Sequence, residues 1–344
     1  MSLRFRIAAV LAMLVLAVAG SAYAWFWHRI ADDIRAGLPV WSAGLATEGL
    51  RITHGPATVS GFPLSFRIEL PSPVLERTRA YPSARWSGQR LIGTARPWRL
   101  AEWAIAVPEQ SRLDLAAGRD RWQATVGGVD GTFAVGAAGG ILALVARDVA
   151  GTDSDPLTIA AVRLRLAPDP GRPAATAIGL GADAIRLPDR PEPLFGRDVA
   201  MVAGEGALVE RIPPLPPAAA LEAWRSAGGT VDVSRFRVVW GPVQAEGAFT
   251  LALDRALQPI LAGTAEVAGH DAILDRLVAT GRLGRMEAFG LRAVLGAIAR
   301  PTGDGTGQTV SAQFSVQDGT LSAGPAGAGT FKLLTLPPIM WPDR

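Results

Sequence analysis

There is no cysteine and no asparagine among the 344 residues, and Lys332 is the only lysine. Without cysteine there is no disulfide framework, no thiolate nucleophile and no thiolate-ligated zinc, and the chain is compatible with an oxidising compartment. Histidine is scarce as well. His28, His54 and His270 lie far apart, in no H-E-x-x-H or similar spacing, so no metal ligand is assigned. Nor is there a long basic run. The pI of about 10.1 reflects arginine, which supplies 33 of the 34 basic residues and stays charged far above neutrality. Beyond Arg4 and Arg6 the chain carries 32 basic and 31 acidic residues, nearly neutral. The footprint of a phosphate-backbone binder is therefore missing, and nucleic acid is excluded as a partner.

Catalytic signatures are equally sparse. Gly179-Leu180-Gly181-Ala182-Asp183-Ala184 matches a G-x-G-x-x-A pattern, but Pro188 follows too soon for a phosphate-binding helix, so a Gly-rich turn is expected. The segment Gly324 to Thr330 before Lys332 lacks the spacing and following helix of a phosphate loop. There is no G-x-S-x-G elbow, and Asp153 and Asp155 in Thr-Asp-Ser-Asp-Pro read as a turn. His270 with Asp271 is expected to open a helix, where the acid offsets the positive end of the dipole. No catalytic residue and no cofactor is assigned, and the expectation is that the protein is not an enzyme.

What is present is apolar. Hydrophobic residues make up 49% of the chain, enough for a core, and 39 Gly and 26 Pro without a period suit many strands joined by turns. After Arg4 and Arg6, Ile7 to Trp27 is an uncharged run of 21 residues, roughly 30 Å as a helix and about one hydrocarbon core. Tyr23, Trp25 and Trp27 close it, as aromatic rings do at a membrane interface. A cleavable signal peptide is the competing reading, with Ala22-Tyr23-Ala24 as its A-x-A-like site. A retained anchor is favoured because the apolar run continues through Trp25-Phe26-Trp27. Either way the remainder is exported.

His28 to Trp41 reads as an amphipathic helix, with Ile30, Ile34 and Leu38 on one side and Pro39 ending it. Strand alternation follows at Leu64 to Leu70, Arg121 to Val126, Val162 to Leu166 and Val310 to Gln317, the last running into an Asp318-Gly319 hairpin turn. Helical patterns interrupt it near Pro217 to Ala227, Asp271 to Thr280 and Arg285 to Arg300. The predicted fold is mainly β: an N-terminal transmembrane helix, then an extended or curved antiparallel sheet with a few short helices. Residues 1–27 form the anchor or signal, 28–48 an amphipathic linker helix and 49–344 the β-rich exported domain. That domain is either one sheet or two β modules divided near 211–228, where Arg-Ile-Pro-Pro-Leu-Pro-Pro suggests a rigid crossover. Trp86, Trp98, Trp103 and Trp122 form a loose aromatic group, read first as core packing and second as the wall of an acyl-chain groove.

Several motifs fall in a specific order. Tyr23-Ala24-Trp25-Phe26-Trp27 precedes the amphipathic helix, then come Val59-Ser60-Gly61-Phe62-Pro63-Leu64, Trp240-Gly241-Pro242 and Gly247 to Asp254. Gln317-Asp318-Gly319, Gly324-Pro325 and Leu336-Pro337-Pro338 close the series. This set resembles an uncharacterised bacterial envelope family, the domain of unknown function numbered 2125, across almost the whole chain. That family is distantly similar to AsmA-like envelope proteins, which have an inner-membrane anchor and a long curved β-sheet implicated in phospholipid handling. The resemblance implies a single-pass inner-membrane protein of cell-envelope maintenance, with its C-terminal domain in the periplasm. Phospholipid or another acyl ligand would be held on an apolar sheet face. A non-catalytic assembly or scaffolding role in the envelope is the alternative.

A cytoplasmic N-terminus and exported C-terminus are expected from the arginine-flanked apolar run. A reporter enzyme fused after Arg344 should be active only when it folds outside the cytoplasm. Activity confined to the cytoplasmic form would reject this topology.

Overall fold

The computed structural model describes residues 3–47, 49–77, 83–117, 120–136, 138–190, 192–213, 215–281, 283–301, 308–325, 331–335 and 338–339. One helix, α1 (Leu3–Thr47), leads the chain. It runs through Pro39, contrary to the expected stop there. Proline deprives the Arg35 carbonyl of its usual donor, but this part of the helix is exposed and water can replace it.

The sheet begins with β1 (Arg51–Thr53), β2 (Thr58–Ser60), β3 (Phe66–Pro71), β4 (Val74–Arg77), β5 (Ser83–Ser87), β6 (Arg90–Arg96), β7 (Arg99–Val107) and β8 (Ser111–Ala117). It continues with β9 (Asp120–Gly136), β10 (Gly139–Gly151), β11 (Thr158–Pro168), β12 (Thr176–Arg186) and β13 (Asp198–Val209). After α2 (Pro217–Ser226) come β14 (Thr230–Trp240), β15 (Val243–Leu253) and β16 (Pro259–Ala268). The helices α3 (His270–Ala279) and α4 (Arg285–Ile298) precede β17 (Arg300–Pro301), β18 (Gln308–Gln317), β19 (Thr320–Pro325) and β20 (Phe331–Thr335). Every named strand pairing is antiparallel, and all belong to one sheet, as the alternating segments predicted. The sheet runs straight through 211–228: β13 pairs with β14 from Val199↔Trp240 to Val209↔Thr230. The Pro-rich stretch and α2 therefore join neighbouring antiparallel strands rather than crossing over.

The first eight strands are four long strands, each broken once. β1 and β2 pair with β4 and β3 in the same register that one uninterrupted strand would have, and β3–β4 pair with β6 and β5 likewise. β7 and β8 together line the edge of β9. The breaks lie opposite one another, at 54–57, 72–73, 88–89 and 108–110. Backbone bonds cross them, Gly55 N–H to Pro71 O at 2.8 Å, Ser72 N–H to Gln89 O at 2.7 Å and Gly88 N–H to Pro73 O at 3.0 Å. The sequence reason is local. Pro56, Pro71, Pro73 and Pro108 lack the N–H a ladder needs and concentrate where it is interrupted. The same line continues through Gly127-Gly128 in β9, Asp148 in β10 (φ 53°) and Ala184 in β12 (φ 47°). It is a crease crossing most of the sheet, along which opposed residues drop out of the ladder while the register between strands stays the same.

The second half of α1 lies against the first strands. Trp27 and Ala31 are buried with Val59 and Phe66, and Ile30, Ile34, Ile68, Leu100 and Trp103 pack around them. The Trp27 and Phe66 rings stack at 5.0 Å, 11° from parallel. Trp27 Nε1 donates to Ser65 O at 3.1 Å, Arg35 Nη2 to Val59 O at 3.2 Å and Tyr23 OH to Pro63 O. The helix axis thus follows the strand direction, with Tyr23 at the level of the β2–β3 turn.

Phe66→Ala should destabilise the protein by about 3–5 kcal/mol, because it removes a fully buried ring and the stacking partner of Trp27. Denaturant unfolding in detergent checks this. A midpoint unchanged from wild type would reject the helix–sheet lock.

Candidate functional site

Antiparallel register fixes which side chains share a face. One row of directly opposed residues starts beneath α1 and reads Phe66, Ala95, Trp103, Phe133, Leu142, Leu166 and Ile178. It continues as Gly206, Val233, Phe249, Gly263, Phe314 and Ala323. None of these side chains is polar. The neighbouring row on the same side, Gly131, Leu144, Leu164, Leu180, Gly204 and Phe236, is apolar too. The opposite face is polar, with Arg163 paired to Asp183, Arg147 to Asp130, and Arg235 to Glu246 at 2.6 Å. A hollow of about 600 Å³ on that polar side is lined by Arg235, Arg237, Gln244 and Glu266 among others. Its charges are spread along the strands and converge on no common point.

Both ends of the apolar face are covered, and its centre is not. Trp27 and Ala31 cover the first strands. Near the other end Phe236, Phe249 and Phe314 form a ring cluster with centroids 5.7–6.3 Å apart. β14 and β18 are three ladder steps apart, roughly 14 Å in a flat sheet. Their Phe236 and Phe314 centroids lie only 6.0 Å apart, so the sheet curls with this face inward. Gly263 makes room for the curl: a Cβ there would come within 2.5 Å of the Phe249 Cβ and 2.7 Å of the Phe314 ring. Between the covered ends, Leu180 is 56% exposed and Val202 39%. A Cβ on Gly204 would meet nothing within 4 Å, leaving an open, apolar floor. The two rows that line it offer apolar area and no polar side chain.

The sequence-derived candidates fall at scattered places. Trp86, Trp103 and Trp122 all sit on the apolar face: Trp86 Nε1 donates to buried Ser111 Oγ at 3.0 Å, Trp103 Nε1 to Leu100 O at 2.9 Å, and Trp122 packs on Ala124, Val126 and Val149. Trp98 does not join them and stands exposed in the turn between β6 and β7. The Gly179–Ala184 motif is not a turn. It lies inside β12, where Gly179 and Gly181 leave space beside the Arg165 and Arg163 side chains on the polar face. His28 stacks on Phe62 at 5.8 Å, the His54 ring contacts Gly55 O, and His270 opens α3 with Asp271 in its first turn. Among the described residues no three His, Asp or Glu side chains gather where a metal ion could be held. Residues 326–330 of the glycine-rich segment before Lys332, and Leu336-Pro337 of the closing motif, lie outside the described residues. What the sequence reading missed is the length of the apolar face across the glycine-rich β13, β15 and β16, whose alternation is diluted by Gly204, Gly206, Gly247 and Gly263.

These features define a class: an antiparallel β protein with one half-open apolar sheet face, led by a helix long and apolar enough to cross a membrane. Within that class the chain belongs to the bacterial family described as an uncharacterized protein conserved in bacteria, domain of unknown function 2125, whose family model matches residues 25–331. No curated protein and no solved structure matches the chain.

Asp153 and Asp155 lie in the turn between β10 and β11, and Asp155 is structural in its contacts. It accepts the Asp189 backbone N–H and pairs with Arg197, tying two turns at the end of the sheet away from Tyr23. The Asp189 N–H first, and Arg197 after it, hold its carboxyl below the ordinary carboxylate range. A carboxyl with a depressed folded pKa adds stability above its unfolded pKa and loses it as pH falls through the folded one. Asp155→Asn should therefore melt below wild type near neutral pH, with the gap closing in acid as Asp155 protonates. Thermal unfolding across pH checks this, and a gap independent of pH would reject the tie.

Proposed function

We propose that the protein is a single-pass inner-membrane protein of cell-envelope maintenance. Its β domain stands in the periplasm and holds phospholipid or another acyl ligand along the apolar sheet face. The observation that carries the reading is the apolar face: its row from Phe66 to Ala323 is apolar on thirteen strands, and Leu180 and Val202 beside that row are uncovered. An uncovered apolar face of this extent in a soluble domain calls for a partner. Each methylene seated on it gains about 0.8 kcal/mol, so eight methylenes supply on the order of 6 kcal/mol. The face starts under α1, so a chain leaving the bilayer beside that helix meets the apolar strands at once. Binding and passage, without bond chemistry, are the whole of the proposed activity.

The assembly alternative has one specific observation behind it. α4 turns Met286, Phe289, Val294 and Ile298 to solvent while burying Ala288, an arrangement suited to a protein partner.

A phospholipid carrying a photoreactive group midway along one acyl chain separates these readings in full-length protein reconstituted into vesicles. Label should map to peptides of β10–β14, and Leu180→Glu should lower it about tenfold there. Label confined to α1 would reject the groove and leave the assembly role.

A further inference from the structure

We propose that the β2–β3 and β6–β7 turns form a second membrane contact, dipping into the lipid surface from which α1 emerges. Phe62, Leu64 and Trp98 are the side chains that enter it. This rests on the reading of α1 as membrane-spanning, and adds to it a stretch of the sheet's own edge.

Height is fixed by contacts on both sides of the helix–turn junction. Tyr23 OH bonds Pro63 O, Trp27 Nε1 bonds Ser65 O, and the Phe62 ring lies 6.2 Å from Tyr23, 5.5 Å from Trp27 and 5.8 Å from His28. Residues 61–65 are therefore level with the aromatic end of the apolar run, where an aromatic belt meets headgroups. The turn cannot drift from this level while Trp27 remains stacked on Phe66.

The side chains at that level are those a bilayer interface accepts. Leu64 is 68% exposed, close to the 71% of Trp25 on the helix itself, and Phe62 is 49% exposed. Because Phe66 pairs with Ala95, the next turn in the sheet, Pro97-Trp98, stands beside 61–65 on the same end. There Trp98 is 62% exposed, flanked by Arg96 and Arg99. Arg99 pairs with Glu102, and Arg96 has no ion pair among the described residues, which leaves a cation free for phosphate oxygens. The turns at the opposite end carry the charges Asp153, Asp155, Asp189 and Arg190, and the aromatic ring there, Phe195, packs edge-on against Trp240 at 5.3 Å. The position of Phe62, Leu64 and Trp98 beside the aromatic end of α1 is what selects a lipid surface over a protein partner. This patch meets the place where α1 already leaves the bilayer, and its aromatic and arginine pairing matches the interface rather than the membrane interior.

The absence of native cysteine makes the test direct. Single cysteines at Leu14, Leu64, Trp98 and Asp153 in the full-length protein carry a spin label, and the protein is reconstituted into phosphatidylethanolamine–phosphatidylglycerol vesicles. Oxygen against a water-soluble nickel chelate then reads the depth of each site. Labels at Leu64 and Trp98 should be several-fold more accessible to oxygen than to the chelate, as at Leu14, with Asp153 the reverse. If Leu14 reads lipid while Leu64 and Trp98 read water like Asp153, the turn contact is wrong and the anchor stands. If Leu14 itself reads water, the anchor fails and the turn contact fails with it.

Discussion

Register is the constraint on which everything else in this protein depends. Side chains alternate with a period of two, so a slip of one residue would turn a strand's entire apolar set to the polar side. At the crease each strand changes which of its residues face inward, while the pairing between strands keeps its register. In β10, Ala146 and Val149 both face inward though an odd step separates them, and Asp148 at φ 53° is the residue that absorbs it. β12 does the same between Ala182 and Ile185, with Ala184 at φ 47°. β9 makes the shift between Val126 and Val129 at Gly127-Gly128, the residue type that accommodates such a kink most easily. Because all these strands shift at the same height, the ladders stay paired above and below, and one face remains apolar throughout.

That coordinated shift also explains how much of the fold was legible in the sequence. Alternation was plain at Arg121 to Val126 and at Val162 to Leu166, and each of those segments ends at the crease. Read past it, the pattern falls out of phase and looks like a loop or a separate strand. The Asp318-Gly319 turn was legible because both residues adopt positive φ, 48° and 68°, the geometry that dipeptide favours in a tight hairpin. α2, α3 and α4 were legible from their apolar spacing and their glycine or proline stops. The break expected at Pro39 was not real, since an exposed helix tolerates a missing donor. The apolar face itself was only half legible. Its aliphatic rows show in single strands, whereas its extent depends on registers between strands that no local pattern encodes.

Curvature follows from where the small residues fall. Gly263 stands between Phe249 and Phe314, and a side chain there would prise the rings apart and flatten the sheet. Gly204, by contrast, faces empty space beside Leu180 and Phe236, so there the missing side chain widens the hollow rather than permitting contact. Two glycines on one face thus do opposite things. One lets the sheet close over a ring cluster, and the other keeps the middle open. Aromatics at the covered end and glycine with leucine at the open centre form a trough with a closed end.

An open apolar trough is a hazard in water, because two copies could bury their faces against one another. Several features of the chain limit that hazard. The edge beside β1 and β2 is covered by α1, held by Trp27 and by Arg35 bonded to the Val59 carbonyl. The curl turns the exposed aliphatics inward, and the arginine–carboxylate pairs of the convex side keep that surface solvated. The connection between helix and sheet then matters twice. It closes the edge that a second chain would otherwise extend, and it fixes the trough in one orientation relative to the long apolar helix. Loosening Trp27 from Phe66 would therefore open an edge and misalign the trough in a single step, which makes this stacked pair the joint between the fold and its proposed use.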